Sequence, residues 1–161
     1  MNRVVRSTIV FSLVLIIIGI SAGWVQKQKE RKGMAEVRFI DRTPLGYSQV
    51  VEVRSGRTLY IAGQVSLDKD GKLVGVGDFR AQVKQVFENL KARLEAGGAS
   101  FKDVVKLNYY LTDASDLQAL RDTRNSYINT ENPPASTLVV VKRLAREEYL
   151  IEVEAIAVAG E

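Results

Sequence analysis

Residues 77–98 read GDFRAQVKQVFENLKARLEAGG. Within them Phe79, Val83, Val86, Phe87, Leu90 and Leu94 recur at three- and four-residue intervals, which places them on one face of a helix. Asp78 stands where a carboxylate meets the positive end of the helix dipole, and Gly97-Gly98 supplies the stop. A helix with one apolar stripe needs a surface to cover, so its neighbours in the chain decide the fold.

Upstream, Val37, Arg38, Phe39 and Ile40 open the core pattern. Val51 and Val53, then Leu59, Ile61 and Ala62, predict two short strands separated by Ser55-Gly56-Arg57, a hairpin signal. LDKDGKLVG (67–75) turns again at Asp70-Gly71. Downstream, DVVKLNYYLTD (103–113) alternates as a strand, and SDLQALRDTRNSYI (115–128) sets Leu117, Leu120, Tyr127 and Ile128 along one helical face. PPASTLVVVKRL (133–144) and YLIEVEAIAVAG (149–160) complete the chain as strands.

The order β-β-(β)-α-β-α-β-β predicts an α+β domain, a mixed sheet with two helices on one face. The opposite face is then bare. Assigning Val139, Val141, Ile151 and Val153 to the uncovered apolar surface predicts self-association.

The 161 residues contain neither cysteine nor histidine, which removes disulfides, thiol nucleophiles, imidazole bases and the usual transition-metal ligands. Carboxylates, hydroxyls, amides, Lys, Arg, Tyr and the backbone remain for chemistry. The formal charge of +4 is uneven: residues 1–33 hold six Lys/Arg and one Glu, residues 34–161 seventeen Lys/Arg and eighteen Asp/Glu. The larger part is slightly acidic and carries no clustered basic footprint for nucleic acid.

Ser7 to Gln26 is uncharged, and twenty helical residues cover roughly 30 Å, so residues 7–26 predict a single-pass membrane anchor. Trp24 sits at an interfacial position. Residues 1–33, ending in the charged linker KQKERKG, thus form an anchor segment, and residues 34–161 the domain. The excess of Lys and Arg after the helix favours a cytoplasmic domain. A cleaved signal peptide ending near Ala22 or Gly23 is one alternative, and a start at Met34, leaving a soluble cytoplasmic domain, is another.

TPLGYSQVVEV, LYIAGQVSLDKDGKLVG, FENLKARLEAGGAS, DVVKLNYYLTD, PPASTLVVVKRL and IEVEAIAV together resemble the Rid (reactive intermediate deaminase, YjgF-type) family over residues 43–159. The resemblance implies a chorismate-mutase-like subunit, a homotrimer with clefts between subunits, and hydrolysis of 2-imino and enamine acids without metal or cofactor. By motif it implies a substrate-binding tyrosine at Tyr47, a Gly-Gln turn at Gly63-Gln64 and an assisting glutamate at Glu152.

The family's carboxylate-gripping arginine falls on Ser136; Ala62 replaces a usual serine and Leu138 a common cysteine. Ser136 and Thr137 offer hydroxyls for a ligand, but no charge. Two readings follow: a protein of an arginine-lacking branch that binds a small metabolite in the intersubunit cleft, or an active imine deaminase with a substitute cation. Lys142, Arg143 and Arg146 are the substitutes nearest in sequence. The acidic domain and the missing histidines argue against a nuclease. Plainer readings remain beside each residue: Tyr47 packs, and Glu152 and Glu154 are solvated or paired with Lys142 or Arg143.

Overall fold

The computed structural model describes residues 33–115 and 117–161. The anchor expected at residues 7–26 lies outside the described residues; among those described, no helix is long and apolar enough to cross a membrane.

Ala35–Glu161 forms one compact unit. Its elements are β1 (Glu36–Arg42), β2 (Ser48–Ser55), β3 (Arg57–Gln64), α1 (Phe79–Ala96), β4 (Val104–Leu111), α2 (Leu117–Asn125), β5 (Ala135–Val140) and β6 (Ile151–Ala159). The strands form one sheet in the order β1-β2-β5-β4-β6-β3. β5 runs parallel to both β2 and β4, and the remaining pairs are antiparallel. The α+β fold class holds.

Helix α1 starts where its cap predicts, with the Asp78 carboxylate accepting the Ala81 N–H at 3.1 Å. It ends at Gly97, followed by Gly98 at φ +69°, a left-handed position that glycine adopts without strain. Its stripe, Val83, Val86, Phe87, Leu90 and Leu94, is fully buried. It packs on Leu107, Ile151, Val153 and Ala157 of the sheet, and Phe87 stacks on Phe101 and Tyr127 with centroids 5.8 and 5.1 Å away. Burying such a stripe contributes about 1.5–3 kcal/mol per large side chain.

Three expectations are corrected. Ser55-Gly56-Arg57 is not a hairpin turn: β2 and β3 do not pair, and they lie apart in the strand order, with β3 on the far edge. One residue joins them, so the sheet must curl until its edges approach. At Gly56 (φ +122°) an added Cβ would meet both Val158 of β6 and Ala35 at the start of β1, so a side chain there would obstruct the crossing. The turn at Asp70-Gly71 does form, bridged by Leu67 and Leu73.

The second correction concerns parity along β6. Ile151 and Val153 are fully buried under the helices, whereas Glu152 and Glu154 alternate onto the open face. Ile151 and Val153 therefore add nothing to the uncovered apolar surface. Third, α2 stops at Asn125, short of Tyr127 and Ile128, which reach the core from the segment that follows.

Candidate functional site

Strand parity divides the sequence-predicted residues between the two faces. In the β4–β5 register Leu107 faces Ser136 and Tyr109 faces Leu138, so Ser136 and Leu138 share the helix side of the sheet. Thr137 is paired with Asn108 and lies on the open side, where its hydroxyl accepts from Lys106 Nζ at 2.7 Å. Glu152, opposite Tyr110, is on the open side as well.

On the helix side Tyr47 reaches Ser136 because its turn is pinned at both ends. Thr43 N–H and Oγ1 donate to Tyr47 O at 2.8 and 3.0 Å, and Ser48 Oγ donates to Pro133 O at 2.7 Å just before β5. Arg124 of α2 donates from Nη2 to Leu45 O at 3.1 Å, tying the same turn to the helix. Gly46, at φ +80°, allows that approach, since a Cβ there would overlap the guanidinium.

The result is a cleft of about 160 Å³ between α2, β5 and the Thr43–Tyr47 turn. Leu45, Leu117, Leu120 and Leu138 make it apolar; Tyr47, Tyr109, Ser136, Arg121 and Arg124 supply its polar groups. Tyr109 is 2% exposed and its hydroxyl is sealed from solvent beside Arg124. Burial pushes that phenol well above its ordinary pKa, with the nearby Arg124 charge opposing, so it stays a neutral donor.

The substitute cations named from sequence do not line this cleft. Lys142 and Arg143 are exposed, and Arg146 is exposed with its guanidinium 5.6 Å from the Tyr149 ring centroid. Glu152 and Glu154 do not pair with Lys142 or Arg143. The cations that line the cleft with Ser136 come from α2, and a sequence signal for them existed. Leu117, Leu120, Arg121 and Arg124 follow the i, i+3, i+4, i+7 spacing of one helical face.

On the open side, Gly63 and Glu152 meet. β3 shifts register between Ile61 and Gln64, and an added Cβ at Gly63 would overlap Glu152 Oε1. Gln64 turns back onto its own strand, its Nε2 donating to Ala62 O at 3.0 Å. Beside them Glu154 Oε1 accepts from Asn108 Nδ2 at 2.7 Å and from the Tyr110 hydroxyl at 3.1 Å. That hydrogen bond, then desolvation, raises the Tyr110 pKa. Glu154 is thus tied into the sheet, while Glu152 presents its carboxylate beside a glycine backbone.

Among the described residues no group of acidic side chains is arranged to hold a metal ion.

The sequence profile of endoribonuclease L-PSP matches residues 42–159. A RutC family protein of Pyrococcus horikoshii is 43% identical over 128 residues, covering 77% of this chain and 98% of its own. A 2-iminobutanoate/2-iminopropanoate deaminase of Dermatophagoides farinae is 34% identical over 116 residues, covering 71% and 88%. A crystal structure of a Rid family protein of unknown function from Yersinia pestis superposes with a TM-score of 0.70 at 39% identity, covering 76% of this chain and 98% of that one. With the curled mixed sheet, the paired helices and these relatives in agreement, the chain belongs to the endoribonuclease L-PSP family, which includes the RutC and Rid proteins.

Proposed function

We propose that this protein hydrolyses small 2-imino or enamine acids in a cleft completed between copies of the chain, without metal or cofactor. The observation that carries the reading is the division of the predicted residues: Tyr47 and Ser136 on the helix side of the sheet, Gly63, Thr137 and Glu152 on the open side. Opposite faces of one sheet cannot grip one small molecule. A neighbouring copy that presents its open face to the cleft unites them.

A closed ring of copies satisfies that requirement, and a homotrimer is the assembly we assign. Tyr60, 81% exposed on edge strand β3, and Val139, 40% exposed on the open side, are apolar groups that such contact would cover. The named deaminase among the relatives supports the chemistry.

In that chemistry water adds to the imine carbon while the C=N electron pair moves to nitrogen, which takes up a proton. The carbinolamine then expels ammonia as its C–O bond becomes a carbonyl. Glu152 positions the water and carries the proton from oxygen to nitrogen; its contact with Gly63 holds the carboxylate against the backbone. The arginines that α2 brings to the cleft support this reading, since they supply a cation where β5 has none.

Light scattering is expected to report a trimer, and an imine generated in situ by an amino-acid oxidase should disappear faster with the protein present. Glu152→Gln and the cleft-filling Ser136→Phe should each abolish that effect. A mixture of the two, unfolded and refolded together, should recover roughly a quarter of the activity, because each site needs an intact half from each of two copies. No recovery from a co-assembled mixture would refute the shared site.

A further inference from the structure

We propose that Arg121 on α2 is the carboxylate anchor of the helix-side cleft, in the role that Ser136 is too short and uncharged to fill, and that the acid it holds carries an apolar body. The proposal rests on reading this cleft as half of a small-acid site.

Two arginines line the cleft, and they differ in what they already hold. Arg124 is 7% exposed, and its guanidinium is committed: Nη2 donates to Leu45 O at 3.1 Å and to Asn125 Oδ1 at 2.9 Å, and Nε to Asn125 Oδ1 at 3.1 Å. Withdrawing it would release the turn that carries Tyr47. Arg121 is half-buried, one helical turn nearer the start of α2. Among the described residues it enters no ion pair; those that form lie on the β1–β2 ribbon and at Lys69–Asp70. A planar fork that holds no carboxylate among the described residues, half removed from water beside an apolar wall, is suited to take one bidentately.

Tyr47 and Ser136 line the same cleft and bring hydroxyls that can donate to a carboxylate held by Arg121. The remaining wall, Leu45, Leu117, Leu120 and Leu138, offers no hydrogen bond to a polar tail, so the acid that fits has a branched or straight hydrocarbon chain. At about 160 Å³ this half of the site admits a small acid.

The test separates anchoring from hydrolysis by using an unreactive acid. Calorimetric titration of the full chain with 4-methylpentanoate should show binding at least roughly tenfold tighter than with acetate, given the buried methylenes. Arg121→Ala should weaken it roughly 10- to 100-fold, while Arg143→Ala, which removes an exposed charge of the same kind, should leave it within about twofold. Adding Ser136→Arg to Arg121→Ala should restore binding, because both side chains reach the same space. Arg121→Gln, which keeps the stem, replaces the alanine variant if that chain misfolds, and the same loss is expected. Unchanged binding in a folded Arg121 variant overturns the proposal, as does absence of binding by the unmodified chain or equal affinity for acetate. Arg121-dependent binding without imine hydrolysis would leave the anchor standing and refute the hydrolase reading alone.

Discussion

The two faces of the sheet are built from alternate residues of the same strands, yet they do different work. On the helix side Leu107, Tyr109, Leu111, Ile151 and Val153 are sealed against α1 and α2. Polar side chains enter it at the cleft margin, where Arg124 and Tyr109 are buried, and at Gln82 of α1. On the open side the residues between them, Lys106, Asn108, Tyr110, Glu152 and Glu154, form a half-buried polar strip. The helix side stabilises the chain by itself, whereas the open side is the one that the proposed assembly would cover with another copy.

The largest expected effect tests that contrast at adjacent residues. Leu107→Ala should destabilise by about 2–5 kcal/mol, because it opens a cavity under α1. Lys106→Ala should cost under about 0.5 kcal/mol in the isolated chain. Any further loss should depend on protein concentration, since it would arise from contacts between copies. Urea unfolding at two protein concentrations measures both, and equal costs would erase the distinction.

Gln82 sharpens the comparison from within the sealed side. It is fully buried on the α1 stripe, donating from Nε2 to Gly75 O at 3.0 Å and Glu148 O at 2.8 Å and accepting the Leu150 N–H at 2.9 Å. Gln82→Leu keeps the bulk but strands Glu148 O and the Leu150 N–H, while Gly75 O keeps the Asp78 N–H, so a loss of about 2–4 kcal/mol is expected despite greater hydrophobicity. Gain of stability would mean that water reaches those groups.

Gly63→Ala probes the open side. The new methyl would displace the flexible Glu152 carboxylate rather than backbone, so stability should fall by less than about 1 kcal/mol. Imine turnover should drop roughly 10- to 100-fold through misplacement of the same carboxylate. A large stability loss with unaltered turnover would show that Glu152 serves packing only.

The smallest effect is alkaline. The Tyr127 phenol donates to Glu88 Oε1 at 2.6 Å, and desolvation first, then that hydrogen bond, pushes its pKa up to about 12. A phenol whose pKa is higher folded than unfolded contributes stability that is complete below about pH 10 and is lost between about pH 10 and 12. Tyr127→Phe should therefore flatten the fall in melting temperature across that window and leave the curve near pH 7 less affected. An unaltered alkaline slope would assign the fall to other tyrosines.

Local chemistry was legible wherever neighbours in the chain are neighbours in space. The α1 stripe, its Asp78 cap, the Gly97-Gly98 stop and the Asp70-Gly71 turn all form as their residues predict. Period-two alternation likewise separated Glu152 and Glu154 from Ile151 and Val153. It did not say which set the helices would cover, because alternation is symmetric until a partner surface breaks it.

Gly56 was misread for a related reason. A turn signal reports that the chain bends, and the pairing across that bend is chosen by contacts with β6 and β1. The same reason hid the cleft's cations. Proximity in sequence favoured Lys142, Arg143 and Arg146, whereas Arg121 and Arg124 line the cleft with Ser136 only because β5 lies beside β4 under α2. The amino-acid order by itself determined most of the elements, their caps and the family. Which face of the sheet is sealed, and which arginine stands in the cleft, depended on long-range packing that no local interval encodes.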